Sequence, residues 1–193
     1  MLGRIARSCL AGLWLLGVPL AATAAQADGL ARDLARIAPS LNQQALQHAL
    51  AAMQCAVNHG AAPARRLAVI DYSQPSTERR LWIFDLQRKS LLLRDFVAHG
   101  RQSGENFADR FSNTLGSHQT SLGLFRTAES YRGKHGYSLR MDGLEPGLND
   151  LARERAIVIH GAGYVNPRWA QKHGRIGRSL GCPAVRPEVA RMV

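Results

Sequence analysis

The chain has 193 residues, 46% of them apolar and 20% charged, which suits one globular domain and excludes a disordered polymer, a collagen-like fibre and a coiled coil. Aromatics, at 6%, are too few to favour a stacking-rich binder of single-stranded nucleic acid. The formal charge of +11 points to anionic surroundings, whether nucleic acid, membrane surface or acidic wall polymer, without choosing among them.

Residues 1–25 bear on that choice. Arg4 and Arg7 precede an apolar run from Cys9 to Leu20, which ends in Ala21-Ala22-Thr23-Ala24-Ala25. A basic start, an apolar stretch too short to span a bilayer and a small-residue exit describe a secretory signal peptide, with cleavage after Ala24 or Ala25 fitting the small-x-small rule and Ala27 an alternative. No later stretch is apolar enough to cross a membrane, so the mature form is expected to carry no transmembrane anchor. What remains can bury roughly 70% of its unfolded surface, enough for a core without disulfide staples. Export to the periplasm or cell envelope argues against nucleic acid and favours an envelope polymer. It also leaves two of the three cysteines, Cys55 and Cys182, in an oxidising compartment.

Residues 26–62 read as a helical extension. From Gly29 to Gly60 the chain looks helical, Ser40 and Gln43 resemble a capping box, and Leu41, Ala45, Leu46, Ala49, Leu50, Met53 and Val57 recur near helical spacing. Gly60 suits the position just past the helix end. Cys55 falls on this stretch, where a small thiol packs as a core residue does. A linker with Pro63 follows, and the texture changes. Residues 67–73, 81–86, 91–97, 121–125, 137–141 and 156–160 are short apolar runs between turn-forming clusters, which predicts strands. Lys89-Ser90 reads as a hairpin turn, 100–116 as loop, 150–155 as one helical turn and 167–173 as a short helix. Residues 63–193 are therefore expected to form a mainly β domain.

Chemistry concentrates in Gly177-Arg178-Ser179-Leu180-Gly181-Cys182-Pro183. A cysteine between glycine and proline on a tight turn should present its sulfur outward. The N–H groups of Leu180, Gly181 and Cys182 could converge on an oxyanion, and Arg178 offers a charge that favours the thiolate. A nucleophilic thiol needs a base, and His160, ending the apolar run Ile157-Val158-Ile159 and followed by Gly161, is the best placed. His99 and His118 read as loop histidines, with His99 of interest because it follows a strand.

Ile159-His160-Gly161 together with Gly177 to Val185 resembles the signature of the YkuD-like L,D-transpeptidases, in particular the murein L,D-transpeptidase catalytic domain family. The likeness continues through Asp71 to Leu81, Val97 to Gly104, Phe111-Ser-Asn113, Ser121 to Leu124, Tyr137 to Arg140, Gly143 to Asp150 and Ala152 to Arg155. This resemblance implies a YkuD-like β-sandwich or barrel over residues 63–193, with the helical extension in front of it. It implies Cys182 as the nucleophile that attacks a peptidoglycan stem tetrapeptide and forms a thioester, His160 as the base, and the Gly161 carbonyl as the group holding its ring. Leu180 and Gly181 would line the oxyanion site, and Arg178 and Ser179 would meet the substrate. An amine acceptor makes a crosslink and water a carboxypeptidase outcome; no cofactor is implied. Two departures stand out. The family usually has histidine where this chain has Leu180, which keeps a backbone N–H but removes a second imidazole. Relatives also continue into another strand beyond the position of Val193, so either the chain is cut short or its sheet closes differently.

Two rival readings compete. His160, His173 and Cys182, with His118 or His135, could hold zinc, but none of their spacings is compact, so no metal is expected. Alternatively, a non-catalytic wall-binding domain could carry a Cys55–Cys182 disulfide, although an outward turn thiol is an odd place for a staple to a helix.

Overall fold

The computed structural model describes residues 20–193, with side chains from Gly29 onward. The expected signal peptide, Cys9 included, lies outside the described residues except for 20–25, which open the first helix. That helix, α1 (Leu20–Ile37), is followed by α2 (Gln43–Asn58). The helical stretch is thus two helices separated at residues 38–42. Pro39 has no N–H to continue α1 and restricts the residue before it. Asn42, not Ser40, caps α2, its side chain accepting from the N–H groups of Gln44 and Ala45 at 2.8 and 3.3 Å. Gln43 turns back to the Leu41 carbonyl instead of closing a capping box. Gly60 follows the C-cap at φ +93°, as its position beyond the helix end requires.

Three antiparallel strands come next, β1 (Arg66–Ile70), β2 (Leu81–Asp85) and β3 (Ser90–Asp95), in spatial order β1-β2-β3. A second sheet holds β4 (Phe125–Gly133), β5 (Gly136–Gly143), β6 (Val158–Gly161) and β7 (Ala184–Val185), with α3 (Pro167–His173) between the last two. β6 and β7 run parallel, whereas the other pairs are antiparallel. The strand expected at 121–125 begins only at Phe125 and runs to Gly133. Its residues are mostly exposed, so no apolar alternation marks it. Residues 150–155 contribute one helical hydrogen bond, from Arg155 N–H to the Leu151 carbonyl.

Alternation along β2 explains the layering. Leu81 and Ile83 face the second sheet and join Leu139, Met141, Ile157, Ile159, Val185 and Val189 in one core. Trp82 and Phe84 point the other way, into Leu34, Ala38, Leu41 and Leu46 of the helical layer and the turn within it. The helices therefore share a core with β1 and β2, and each large apolar side chain buried there contributes roughly 1.5–3 kcal/mol. The segment after β3 stitches the sheets together, because Ala98 bridges Ala184 and Gly100 bridges Ser179.

Candidate active site

β6 delivers His160 by the same alternation. Ile157 and Ile159 enter the core between the sheets, so His160 emerges on the opposite face at the strand end, paired with Ser138 of β5 and Ala184 of β7. Its Nδ1 lies 3.0 Å from the Gly161 carbonyl. That contact assigns the proton to Nδ1 and leaves Nε2 as the acceptor. Burial lowers the imidazole's pKa; the Gly161 carbonyl opposes this and the neighbouring His135 adds to it. His160 is thus neutral down to a lower pH than an ordinary histidine.

Cys182 stands two residues before the β7 partner of His160. Its sulfur is half-buried against the core between the sheets, more enclosed than an outward turn thiol, and it donates to the Ala156 carbonyl at 3.7 Å rather than to His160. Ala156 adopts φ +52°, a left-handed conformation costing about 1 kcal/mol, immediately before β6. Burial raises the thiol's pKa, while a hydrogen bond from the Val158 backbone and the Arg155 charge lower it.

Gly181 makes the turn possible. It sits at φ +124°, and a Cβ there would come within 3.0 Å of the Gln119 carbonyl and 3.2 Å of Ile157 Cδ1. Its N–H is bound to Ser179 Oγ at 3.0 Å, and that hydroxyl donates to the Cys182 carbonyl at 2.6 Å. Ser179, expected to meet substrate, is therefore buried and spent on shaping the turn. Of the three expected oxyanion donors, the N–H groups of Leu180 and Cys182 make no hydrogen bond among the described residues, whereas that of Gly181 is engaged. The Leu180 side chain is 59% exposed.

Arg178 is not the cation beside the sulfur. Its Nη1 is tied to the Arg101 and Gly104 carbonyls at 3.2 and 2.8 Å and to Glu105 at 2.7 Å. The charge acting on Cys182 comes from Arg155, whose guanidinium bonds the Ser112 and Gln119 carbonyls at 2.6 Å each, Ser117 Oγ at 3.1 Å, and Ser121 Oγ. All four partners are neutral oxygens, so no carboxylate offsets the Arg155 charge, while burial lowers its pKa and Cys182 opposes that. Sequence reasoning missed this residue. The signal was an arginine just before the strand that carries His160.

His99 is not a solvent-facing loop residue but fully buried. Nδ1 accepts from Arg80 at 2.7 Å and Nε2 faces the Gly104 carbonyl at 3.3 Å. Burial and the Arg80 cation push its pKa down to about 4. Arg80, also buried, forks the Val97 carbonyl and lies over the Tyr72 ring. Thr120 completes this wall, accepting from Gly100 N–H and donating to the Gly181 carbonyl at 3.2 Å.

The zinc alternative scatters. His173 stacks on Trp169 of α3, His118 meets Arg101, and no metal-holding group of three His, Cys, Asp or Glu gathers among the described residues. No disulfide joins Cys55 to Cys182, because Cys55 lies in the helical layer with its sulfur 3.7 Å from His59 Nδ1. His135 does reach the site, its ring centroid 4.6 Å from that of His160.

A family model described as the L,D-transpeptidase catalytic domain matches residues 37–193. No curated protein and no solved structure matches.

Proposed function

The chain belongs to the L,D-transpeptidase catalytic-domain family, and on that premise we propose that it acts on peptidoglycan stem peptides through a thioester on Cys182. His160 Nε2 takes the thiol proton as the sulfur attacks the carbonyl of the L,D peptide bond. The developing oxyanion is met by the Leu180 and Cys182 N–H groups. His160 then returns the proton to the departing amine, D-alanine leaves, and the acyl group remains on sulfur. In the second half an amine of another stem attacks the thioester, losing its proton to His160, and the sulfur departs as thiolate. The product is a crosslink, or a shortened stem when water is the acceptor.

The observation that carries this reading is a half-buried turn thiol two residues before Ala184, the β7 partner of His160, whose neutral imidazole commits its Nδ1 to Gly161. A thiol disfavoured as thiolate by burial needs a base at the moment of attack, and His160 is held in the form that accepts a proton. Arg155 adds a fixed positive charge on the side of the sulfur. We further propose that the protein is exported by the segment 1–25 and works in the periplasm or cell envelope, where the polymer lies. Among the described residues, no helix is long and apolar enough to cross a membrane.

The test is to incubate the protein with a disaccharide-tetrapeptide and identify the soluble products by mass. Free D-alanine with tripeptide or crosslinked dimer is expected, and Cys182→Ala should lose both while keeping its circular dichroism spectrum. A folded Cys182→Ala protein that still releases D-alanine at the parental rate overturns the reading.

A further inference from the structure

We propose that His135, at the tip of the β4–β5 hairpin, is a positioning residue for His160, covering one face of its ring and holding it as the neutral, Nδ1-bonded base. The proposal rests on the reading of His160 as the base. It starts from geometry: the two imidazole centroids lie 4.6 Å apart at an interplanar angle of 31°, a tilted ring contact.

The sheet dictates this meeting. Ser138 pairs with His160, so the hairpin turn just before Ser138 ends beside the end of β6. Gly133 pairs with Gly136, leaving Lys134 and His135 as a two-residue turn, and Gly136 closes it at φ +74°. The ribbon is also braced from below. Arg153 grips both Glu129 oxygens at 2.8 and 3.1 Å and Asp142 at 2.6 Å, while Arg140 reaches Glu129 and Arg126 reaches Asp142. An exposed tip on a braced ribbon can hold a ring in place where a mobile loop could not.

Two consequences follow for His160. Packing on its face opposes rotation about the side chain, which keeps Nδ1 at the Gly161 carbonyl and Nε2 available. A proton on His135 also disfavours a proton on His160, because two cationic rings cannot comfortably stack. Lys134 flanks His135 in the turn, and Cys182, on the 179–183 turn, is felt by Arg155, Tyr72 and Tyr164. Leu180, exposed on the turn, supplies no imidazole. The second histidine of this site therefore arrives from the hairpin tip.

The experiment uses the full chain and two variants, His135→Ala and His135→Phe. The His160 ring is titrated by NMR, and Cys182 alkylation by iodoacetamide is followed from about pH 5 to about pH 9, with peptide mapping to separate Cys55. His135→Ala should move the His160 midpoint upward and shift the acid limb of alkylation with it, slowing the reaction several-fold at the acid end. His135→Phe keeps a ring but no proton, so it should shift the midpoint while retaining more of the plateau rate than His135→Ala. A His160 midpoint and acid limb that stay at the parental position in both variants overturn the proposal. His160→Ala serves as the separate control: a parental alkylation profile there defeats the base assignment itself, whereas the NMR midpoints still report whether His135 acts on His160.

Discussion

Burial holds the Cys182 thiol above the ordinary thiol range, and the Arg155 guanidinium pulls against it from the 112–121 side of the site. Arg178, nearer in sequence, is occupied by Glu105 and two carbonyls. The two arginines therefore make opposite demands on experiment. Arg155→Met should slow Cys182 acylation roughly tenfold, the order expected when one charge beside a reacting group is removed. Arg178→Met should leave the rate of thiol ionisation alone and act through the 101–105 loop. Stopped-flow acylation with intact-mass readout distinguishes them, and an Arg178→Met enzyme as slow as Arg155→Met would return Arg178 to the sulfur. The positions of Cys182 on a glycine turn and of His160 at a strand end were legible because both are local features. Arg155 was not, because its effect on the sulfur depends on a fold that brings a strand's entry next to a turn well downstream.

The segment from Val97 to Gly104 shows how one element is pinned from behind. His99 is buried with Arg80, and its imidazole is held down to about 4. The unfolded chain binds a proton at this residue below about pH 6.5, whereas the folded protein does so only below about pH 4. Stability therefore falls as pH drops through that window, by about 3 kcal/mol at its lower end. His99→Gln should flatten this part of the curve in urea unfolding measured between about pH 7 and about pH 4. An unchanged slope would mean that the buried imidazole does not titrate against the fold. At this same scale the elements divide by what made them visible. β1, β2 and β6 are apolar and short, and α3 has Asn166 and Pro167 at its start with Gly174 at its end, so pattern alone located them. β4 was largely hidden, since it presents Arg126, Glu129, Tyr131 and Arg132 to solvent and owes its form to pairing with β5. With β4 hidden, the hairpin tip and His135 were hidden too. The start of α2 was marked by the capping signal at Ser40 and the apolar spacing from Leu41 onward, and Pro39 explains the break before it.

Over the whole molecule, helices cover one face of the first sheet and the second sheet covers the other, so the first sheet is buried on both sides at Leu81 to Phe84. The basic excess of the chain is partly structural. Arg80 and Arg155 fork neutral carbonyls, and Arg186 grips the buried Asp95 carboxylate at 2.6–3.2 Å, geometries a lysine does not reproduce. The +11 charge is thus not simply a wall-facing surface. What the assembled layers achieve is a corner where the hairpin tip meets His160 at the end of β6, two residues in register from the turn that carries Cys182. In the proposed reaction the Cys182 sulfur carries the acyl group. Intact-mass measurement of the protein quenched in acid during turnover of a disaccharide-tetrapeptide, followed by peptide mapping, reads it directly. The expected adduct equals the stem minus D-alanine, is located on the peptide containing Cys182 and is released by hydroxylamine. D-alanine release with no adduct on Cys182, or with the adduct on another residue, would contradict it.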